Sequence, residues 1–156
     1  MAYKVFVSHS AQPEDTALID LVLQRTALKN IQCYMAQHDV QAGTSLSDKL
    51  KAEIQSSNCI LVFVTKRSIQ SDWVKWEVGI ADALKKLIVP VLEKDLSPPA
   101  FLVGKEYISF DPEDSSKTAD SVGHYLDNLR LGHEKQQTVG WLILAFLGIL
   151  ALAAKE

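Results

Sequence analysis

The sequence predicts an α/β fold of the flavodoxin-like type, in which five parallel strands form one doubly wound sheet. Short apolar runs alternate with segments of helical spacing along the chain, and such alternation produces right-handed βαβ crossovers. The chain has 156 residues, which suffices for one domain with a sizeable core. Hydrophobic residues make up 47% and charged residues 22%, as in a globular protein. At this size we expect the strand order 2-1-3-4-5.

Five segments are predicted as strands. Tyr3–Val7 is rich in β-branched and aromatic residues, and Ile31–Ala36 alternates between apolar and polar residues. Cys59–Val64 is continuously apolar, which is typical of a parallel strand that is covered on both faces. Leu87–Leu92 is a further apolar run, and Tyr107–Phe110 is predicted as a short last strand.

Helices are predicted between these strands. Pro13–Leu28 begins with proline, which suits a first helical position, and the acidic Asp15 suits the first turn electrostatically. The segment Ser45–Asp48 has the pattern of a capping box and predicts a helix start. Asp72–Leu87 and Thr118–Leu131 both carry apolar residues at helical spacing.

Net charge and cysteine content exclude two kinds of site. The formal net charge of -3 provides no general attraction to nucleic acid phosphates. Cys33 and Cys59 lie in apolar runs, and we expect reduced, buried thiols rather than a zinc site, since no His or Cys is near them. We expect no bound cofactor and no metal. The first residues do not form a signal peptide, so the domain is expected in the cytoplasm.

Familiar nucleotide-binding motifs are missing from the sequence. No GxGxxG follows a strand and no GxxxxGK[ST] occurs, so neither a dinucleotide fold of the usual type nor a P-loop is indicated. A phosphorylatable receiver domain needs acidic residues after the first and third strands. The sequence has Ser8-His9 and Thr65-Lys66 at those places.

A ligand is expected at the carboxyl ends of the strands. In an open parallel sheet the crevice lies where the strand order reverses, here between the first and third strands. Three polar segments follow strands at this edge: Ser8–Ser10, the loop His38–Gly43, and Thr65–Ser68.

An acid beside an aromatic residue lies close to this crevice. Trp73 and Glu77 are four residues apart, so they share one helix face near the start of the helix. A different stripe of the helix is expected to face the core, and it comprises Trp76, Ile80, Ala83 and Leu87. Spacing alone leaves open that Glu77 is a surface residue packed on Trp73 and paired with Lys75 or Lys66.

At these residues the sequence resembles a TIR (Toll/interleukin-1 receptor) domain. Lys4–Ser10 is similar to the family's first box, and His38–Ser45 matches the BB loop in position, with Gly43 where that loop usually has a glycine. Trp73 followed by Glu77 matches the family's W-x-x-x-E pattern. The resemblance covers roughly residues 3–131.

The resemblance implies an enzyme that cleaves the nicotinamide–ribose bond of NAD⁺. The ribosyl group is then transferred to water or to another group of the same NAD⁺ molecule. In the enzymatic branch the glutamate after the tryptophan is the catalytic residue of an NAD⁺ glycohydrolase, a role that falls on Glu77. The resemblance further implies self-association and a part in microbial antiviral or stress defence. It implies nucleotide contacts by several residues: Ser8 and Ser10 in the pocket, Trp73 at the nicotinamide–ribose end, and Asp39 and Gly43 in the covering loop. His9 is either a pyrophosphate or ribose contact or an ordinary polar loop residue.

Two further readings stay open at this point. A non-enzymatic TIR adaptor would bind other TIR domains through the His38–Ser45 loop. A nucleotide sensor would use Glu77 to bind the ribose of NAD⁺ without cleaving it. The nature of the product, ADP-ribose or a cyclic isomer, does not follow from the residues.

The C-terminal segment is predicted as a separate apolar helix. Val139–Ala154 carries no charge for 16 residues, and Trp141 near its start suits a membrane interface. We expect a TIR domain at 1–132, a linker at 133–138 and a single-pass membrane anchor at 139–154, with the domain facing the cytoplasm. A helix buried in an oligomer is the alternative.

Overall fold

The fold is described from a computed structural model, which covers residues 2–10, 12–36 and 46–153. The helices are α1 (Pro13–Ala27), α2 (Leu46–Ser56), α3 (Asp72–Ala83) and α4 (Ser115–Ala153). The strands are β1 (Tyr3–Ser8), β2 (Ile31–Met35), β3 (Cys59–Val64), β4 (Leu87–Glu93) and β5 (Ile108–Phe110).

The five strands form one sheet in the order β2-β1-β3-β4-β5. Every neighbouring pair of strands runs parallel. The predicted fold class and strand order are therefore confirmed. All carboxyl ends of the strands meet at one edge, and the order reverses between β1 and β3, which are direct neighbours.

Helices cover both faces of the sheet. On one face α1 and α4 bury residues such as Leu18, Val22 and Leu126 against the side chains of β1 and β3. On the other face α2 and α3 contribute residues such as Ile54 and Val78. Every residue of β3 is buried, as its unbroken apolar run predicts. The two faces thus place α1 and α3 on opposite sides of the same strand ends.

Both cysteines are free thiols. Cys59 is buried within β3, as predicted, whereas Cys33 on the edge strand β2 is only partly buried.

The closing helix is much longer than the sequence predicts. The spacing predicts a helix over Thr118–Leu131, but α4 extends over 39 residues and includes the segment 133–138 that was expected to be a linker. Its first part packs on the sheet through buried residues that include Val122 and Leu126. The domain limits at 132 and 138 stay a prediction.

The predicted membrane anchor is wrong. None of the helices in the described part of the chain is both long and apolar enough to span a membrane. The physical reason lies in length: a span needs about 20 apolar residues to cross a hydrocarbon core of roughly 30 Å. The apolar stretch 139–154 has 16 residues, which as a helix measure roughly 24 Å. The predicted single-pass localisation is therefore wrong, and the predicted membrane contact through this helix is not supported.

The two parts of α4 should respond differently to the same substitution. Leu126 is fully buried, whereas Leu142 is 65% exposed. Leu126→Val removes one buried methylene group and should lower the free energy of unfolding by about 1 kcal/mol more than Leu142→Val does. The comparison cancels the lower helix propensity of valine, because both sites are helical. Urea denaturation measures the difference, and equal effects would contradict the packing of α4.

Candidate active site

Helix α3 brings a fully buried carboxyl group to the carboxyl end of β1. The helix begins after Ser71, whose Oγ accepts a hydrogen bond from the backbone N–H of Val74 at 3.4 Å. Glu77 lies in the second turn of the helix and is only 1% exposed. Buried glutamates are rare because a carboxylate loses its hydration, so this one requires partners inside the protein.

Two neutral donors hold the Glu77 carboxyl group. The hydroxyl group of Ser8, the last residue of β1, donates to Glu77 Oε2. The indole N–H of Trp73 donates to Glu77 Oε1 at 2.7 Å. Both carboxyl oxygens are thereby hydrogen-bonded, and the site joins the end of β1 to the first turns of α3.

The alternative of a surface ion pair does not hold. Lys75 Nζ lies 3.1 Å from Asp72 Oδ1, and Lys66 Nζ lies 3.6 Å from Glu93 Oε1. The stripe predicted to face the core is also wrong in part, since Trp76 is 39% exposed. The buried residues of α3 are instead Val74, Glu77, Val78 and Ala81.

Burial raises the pKa of Glu77 from 4.5 to about 7. The hydrogen bonds from Ser8 and Trp73 act in the opposite direction, because they stabilise the ionised form. Burial outweighs the two hydrogen bonds, so the pKa of the carboxyl group lies near neutral pH. Such a balance is typical of groups that exchange protons or stabilise charge during a reaction.

Trp73→Phe should raise the pKa of Glu77 further. The phenyl ring keeps an aromatic surface beside the carboxyl group, but the N–H donor to Oε1 is lost. The change is measured by ¹³C NMR titration of the Glu77 carboxyl carbon. Trp76→Phe is the control. It changes a neighbouring ring, whose centroid lies 5.5 Å from that of Trp73, but keeps the two hydrogen bonds of Ser8 and Trp73 to Glu77, so the titration should stay unchanged. A Trp73→Phe titration identical to wild type would contradict the hydrogen bond.

Of the other predicted site residues, Ser10 and His9 have contacts away from Glu77, and the remaining two belong to the predicted loop after β2. Ser10 is buried, but its hydroxyl group donates to Asp15 Oδ2 at 2.8 Å on the α1 side of the sheet. His9 Nδ1 lies 2.6 Å from the carbonyl oxygen of Ser10. Asp39 and Gly43 lie outside the described residues. The structure thus brings Ser8 and Trp73 to Glu77, whereas Ser10 contacts a different acid.

Sequence reasoning missed the burial of Asp15 and its hydrogen bond to Ser10. The position of Asp15 in the first turn of a helix predicts only a favourable interaction with the helix dipole, but Asp15 is buried and accepts a side-chain hydrogen bond. The only available signal was that a serine after β1 and an acid after proline stand five residues apart.

Comparison with known proteins identifies the family. Residues 5–124 match the model of the TIR domain family. The chain belongs to this family. The predicted resemblance, made from the first box and the W-x-x-x-E pattern, is therefore confirmed. The segment of this TIR domain that matches includes β1 from Val5 onward and all of α3, and so the residues around Glu77.

Similar proteins come from animals and bacteria. The TIR domain is 29% identical over 107 residues to the Stimulator of interferon genes protein of Magallana gigas, an alignment that covers 62% of this chain and 26% of that protein. The chain therefore spans about a quarter of the length of this curated relative.

Solved structures share the fold of this TIR domain at low sequence identity. The TIR domain of the Toll-related Receptor TRR-2 from Hydra magnipapillata has a TM-score of 0.57 and 20% identity, over 70% of this chain and 85% of that one. The CMP N-glycosidase BcmB of Clostridium botulinum has a TM-score of 0.56 and 16% identity, over 80% of this chain and 98% of that one.

Proposed function

We propose that this TIR domain protein is an NAD⁺ glycohydrolase in which Glu77 is the catalytic residue. The observation that carries the proposal is the buried carboxyl group at the carboxyl end of β1, held by Ser8 and Trp73. The choice of NAD⁺ as substrate rests on the family resemblance of the W-x-x-x-E pattern. A CMP N-glycosidase with the same fold supports N-glycosidic bond cleavage as the class of reaction.

One carboxylate is sufficient for this chemistry. Nicotinamide is bonded to ribose as a cationic pyridinium and departs as a neutral molecule, because the electron pair of the broken bond returns to the ring nitrogen. No general acid is therefore needed, in contrast to most glycoside hydrolases. Ionised Glu77 stabilises the positive charge that develops on the ribose and accepts a hydrogen bond from a ribose hydroxyl group. Water then bonds to the anomeric carbon and loses one proton, which the Glu77 carboxylate accepts.

Substrate must gain access to a carboxyl group that is covered in this structure. Ser8 is fully buried, and Trp73 is the more exposed of the two donors. An ionised carboxylate accepts about four hydrogen bonds, so Glu77 can bind ribose hydroxyl groups without losing both present donors. We expect Trp73 to move on binding, since it is the less buried of the two donors.

Self-association belongs to the same proposal. The family resemblance implies that contacts between TIR domains raise the activity, so the rate per molecule should increase with protein concentration. A part in defence signalling follows from the same resemblance. Nucleic acid is not expected as a partner, given the formal net charge of -3.

The decisive experiment measures nicotinamide release by the purified full chain. The protein is incubated with NAD⁺ over a range of protein concentrations, and nicotinamide is quantified by chromatography. A parallel incubation with CMP tests for release of cytosine. Binding of NAD⁺ without turnover would favour the nucleotide sensor. Neither binding nor turnover at any concentration would leave the TIR adaptor as the better reading.

A further inference from the structure

A buried polar cluster lies on the opposite face of the sheet from Glu77. Asp15 belongs to α1, whereas Glu77 belongs to α3. Asp15 Oδ2 accepts a hydrogen bond from Ser10 Oγ at 2.8 Å and lies 3.5 Å from Thr65 Oγ1. Ser68 completes the cluster, because its Oγ accepts from the backbone N–H of Thr65 at 2.8 Å. All four side chains of the cluster are buried.

The cluster fixes the two chain segments that hold Glu77. Ser10 is two residues beyond Ser8, so its bond to Asp15 restrains the end of β1. On the other side Thr65 follows β3, and the carbonyl oxygen of Ser68 accepts from the backbone N–H of Ser71 at 2.8 Å. Ser71 in turn caps α3. Asp15 therefore joins the exits of two neighbouring strands to one another.

A purely structural role accounts poorly for this arrangement. Burying a carboxylate is costly, and apolar residues of similar size usually stabilise a core as well or better. α1 already packs on the sheet through its apolar residues, among them Leu18, Ile19 and Val22. A buried acid, unlike an apolar residue, can accept hydrogen bonds and so fix the orientation of the hydroxyl groups of Ser10 and Thr65.

We propose that Asp15 is a positioning residue, which orients the end of β1 and the start of α3 so that Ser8 and Trp73 meet the Glu77 carboxyl group. Asp15 does not touch Glu77 and acts through the backbone of residues 8–10 and 65–71. Its importance for catalysis rests on the proposed function. Its effect on the Glu77 carboxyl group does not, and the two can be measured separately.

The first measurement is the ¹³C titration of Glu77 in a double-mutant cycle. Asp15→Ala should raise the pKa of Glu77, because the Ser8 hydrogen bond that lowers it becomes weaker. In a Ser8→Ala background the same substitution should have little further effect. Asp20→Ala is the matched control, an acid on the exposed side of the same helix. An unchanged titration in Asp15→Ala, or equal effects with and without Ser8, would overturn the proposal.

The second measurement is the rate of nicotinamide release. Asp15→Ala should lower kcat about tenfold with KM changed less than threefold, and the loss should not add to that of Ser8→Ala. Additive losses would overturn the positioning role. If wild-type protein releases no nicotinamide, the proposed function fails, while the titration still decides the role of Asp15. If Asp15→Ala does not fold, Thr65→Val is used in its place, because valine has nearly the shape of threonine but lacks the hydroxyl group near Asp15. This variant should also raise the pKa of Glu77. An unchanged titration would overturn the proposal.

Discussion

Glu77→Gln is expected to lower the rate of nicotinamide release from NAD⁺ at least a thousandfold. Gln has nearly the size of Glu but cannot carry the negative charge that stabilises the ribose cation. Loss of a single preorganised electrostatic group in an active site typically costs two to three orders of magnitude. Here Glu77 is the one group assigned to the developing charge, so the larger value is expected. The circular dichroism spectrum should not change, because the helix and the core around it are retained.

A matched control separates this effect from a general loss of carboxylates. Glu93 ends β4 at the same edge of the sheet, where its Oε2 accepts from the backbone N–H of Lys66 at 2.7 Å. Glu93→Gln should keep the rate within about threefold of wild type. Wild-type activity in Glu77→Gln would exclude Glu77 as the catalytic residue. Equal losses of activity in both variants would show that any loss of negative charge at this edge of the sheet lowers the rate, and not the loss of the Glu77 carboxylate in particular.

Glu77 should also make the protein less stable as the pH rises from about 4.5 to about 7. Below this range the carboxyl group is protonated in both the folded and the unfolded chain. Within it the unfolded chain ionises first, because burial raises the pKa of Glu77 from 4.5 to about 7 in the folded state. The unfolded state then binds fewer protons, so the free energy of unfolding falls with pH. The loss amounts to about 3 kcal/mol and is complete above pH 7.

Urea denaturation at several pH values checks this expectation. The quantity to compare is the difference in free energy of unfolding between wild type and Glu77→Gln, which cancels the contributions of all other groups. That difference should move by about 3 kcal/mol in favour of the variant as the pH rises through the range. Glu77→Met also lacks an ionisable group and should give the same change, whatever its absolute stability. A difference independent of pH would show that the folded protein ionises Glu77 as readily as the unfolded chain.

The fold could be predicted because its strands are marked by composition. The run from Cys59 to Val64 is apolar without interruption and forms the fully buried β3. Regular alternation of such runs with helical spacing predicts βαβ units, which make the strands parallel and their crossovers right-handed, and so leaves few topologies. The same reasoning predicts a ligand site beside the end of β1, and Ser8 there does contact Glu77.

The main error within the domain concerns which residues of α3 face the core. The pattern of hydrophobicity assigns Trp76 to the core and treats Glu77 as a residue at the surface of a crevice. The structure exposes part of Trp76 and buries Glu77, because a hydroxyl group and an indole N–H satisfy the carboxyl oxygens. Ser8 and Glu77 are 69 residues apart in sequence, so only the topology of the sheet brings them together. For the same reason the contact of Asp15 with Thr65, 50 residues away, had no local signal.

The unbroken course of α4 has a geometric consequence for the domain. Since the helix passes from residue 115 to residue 153 without interruption, its exposed apolar part around Trp141 has a fixed rotational phase relative to the sheet. Each residue of an α-helix turns the chain by about 100° and advances it by about 1.5 Å. One residue inserted near position 135 would rotate the sheet edge that carries Glu77 about a quarter turn around the helix axis, relative to the apolar part around Trp141. An insertion of eighteen residues, about five whole turns, would restore the relative orientation and only increase the distance between the two parts.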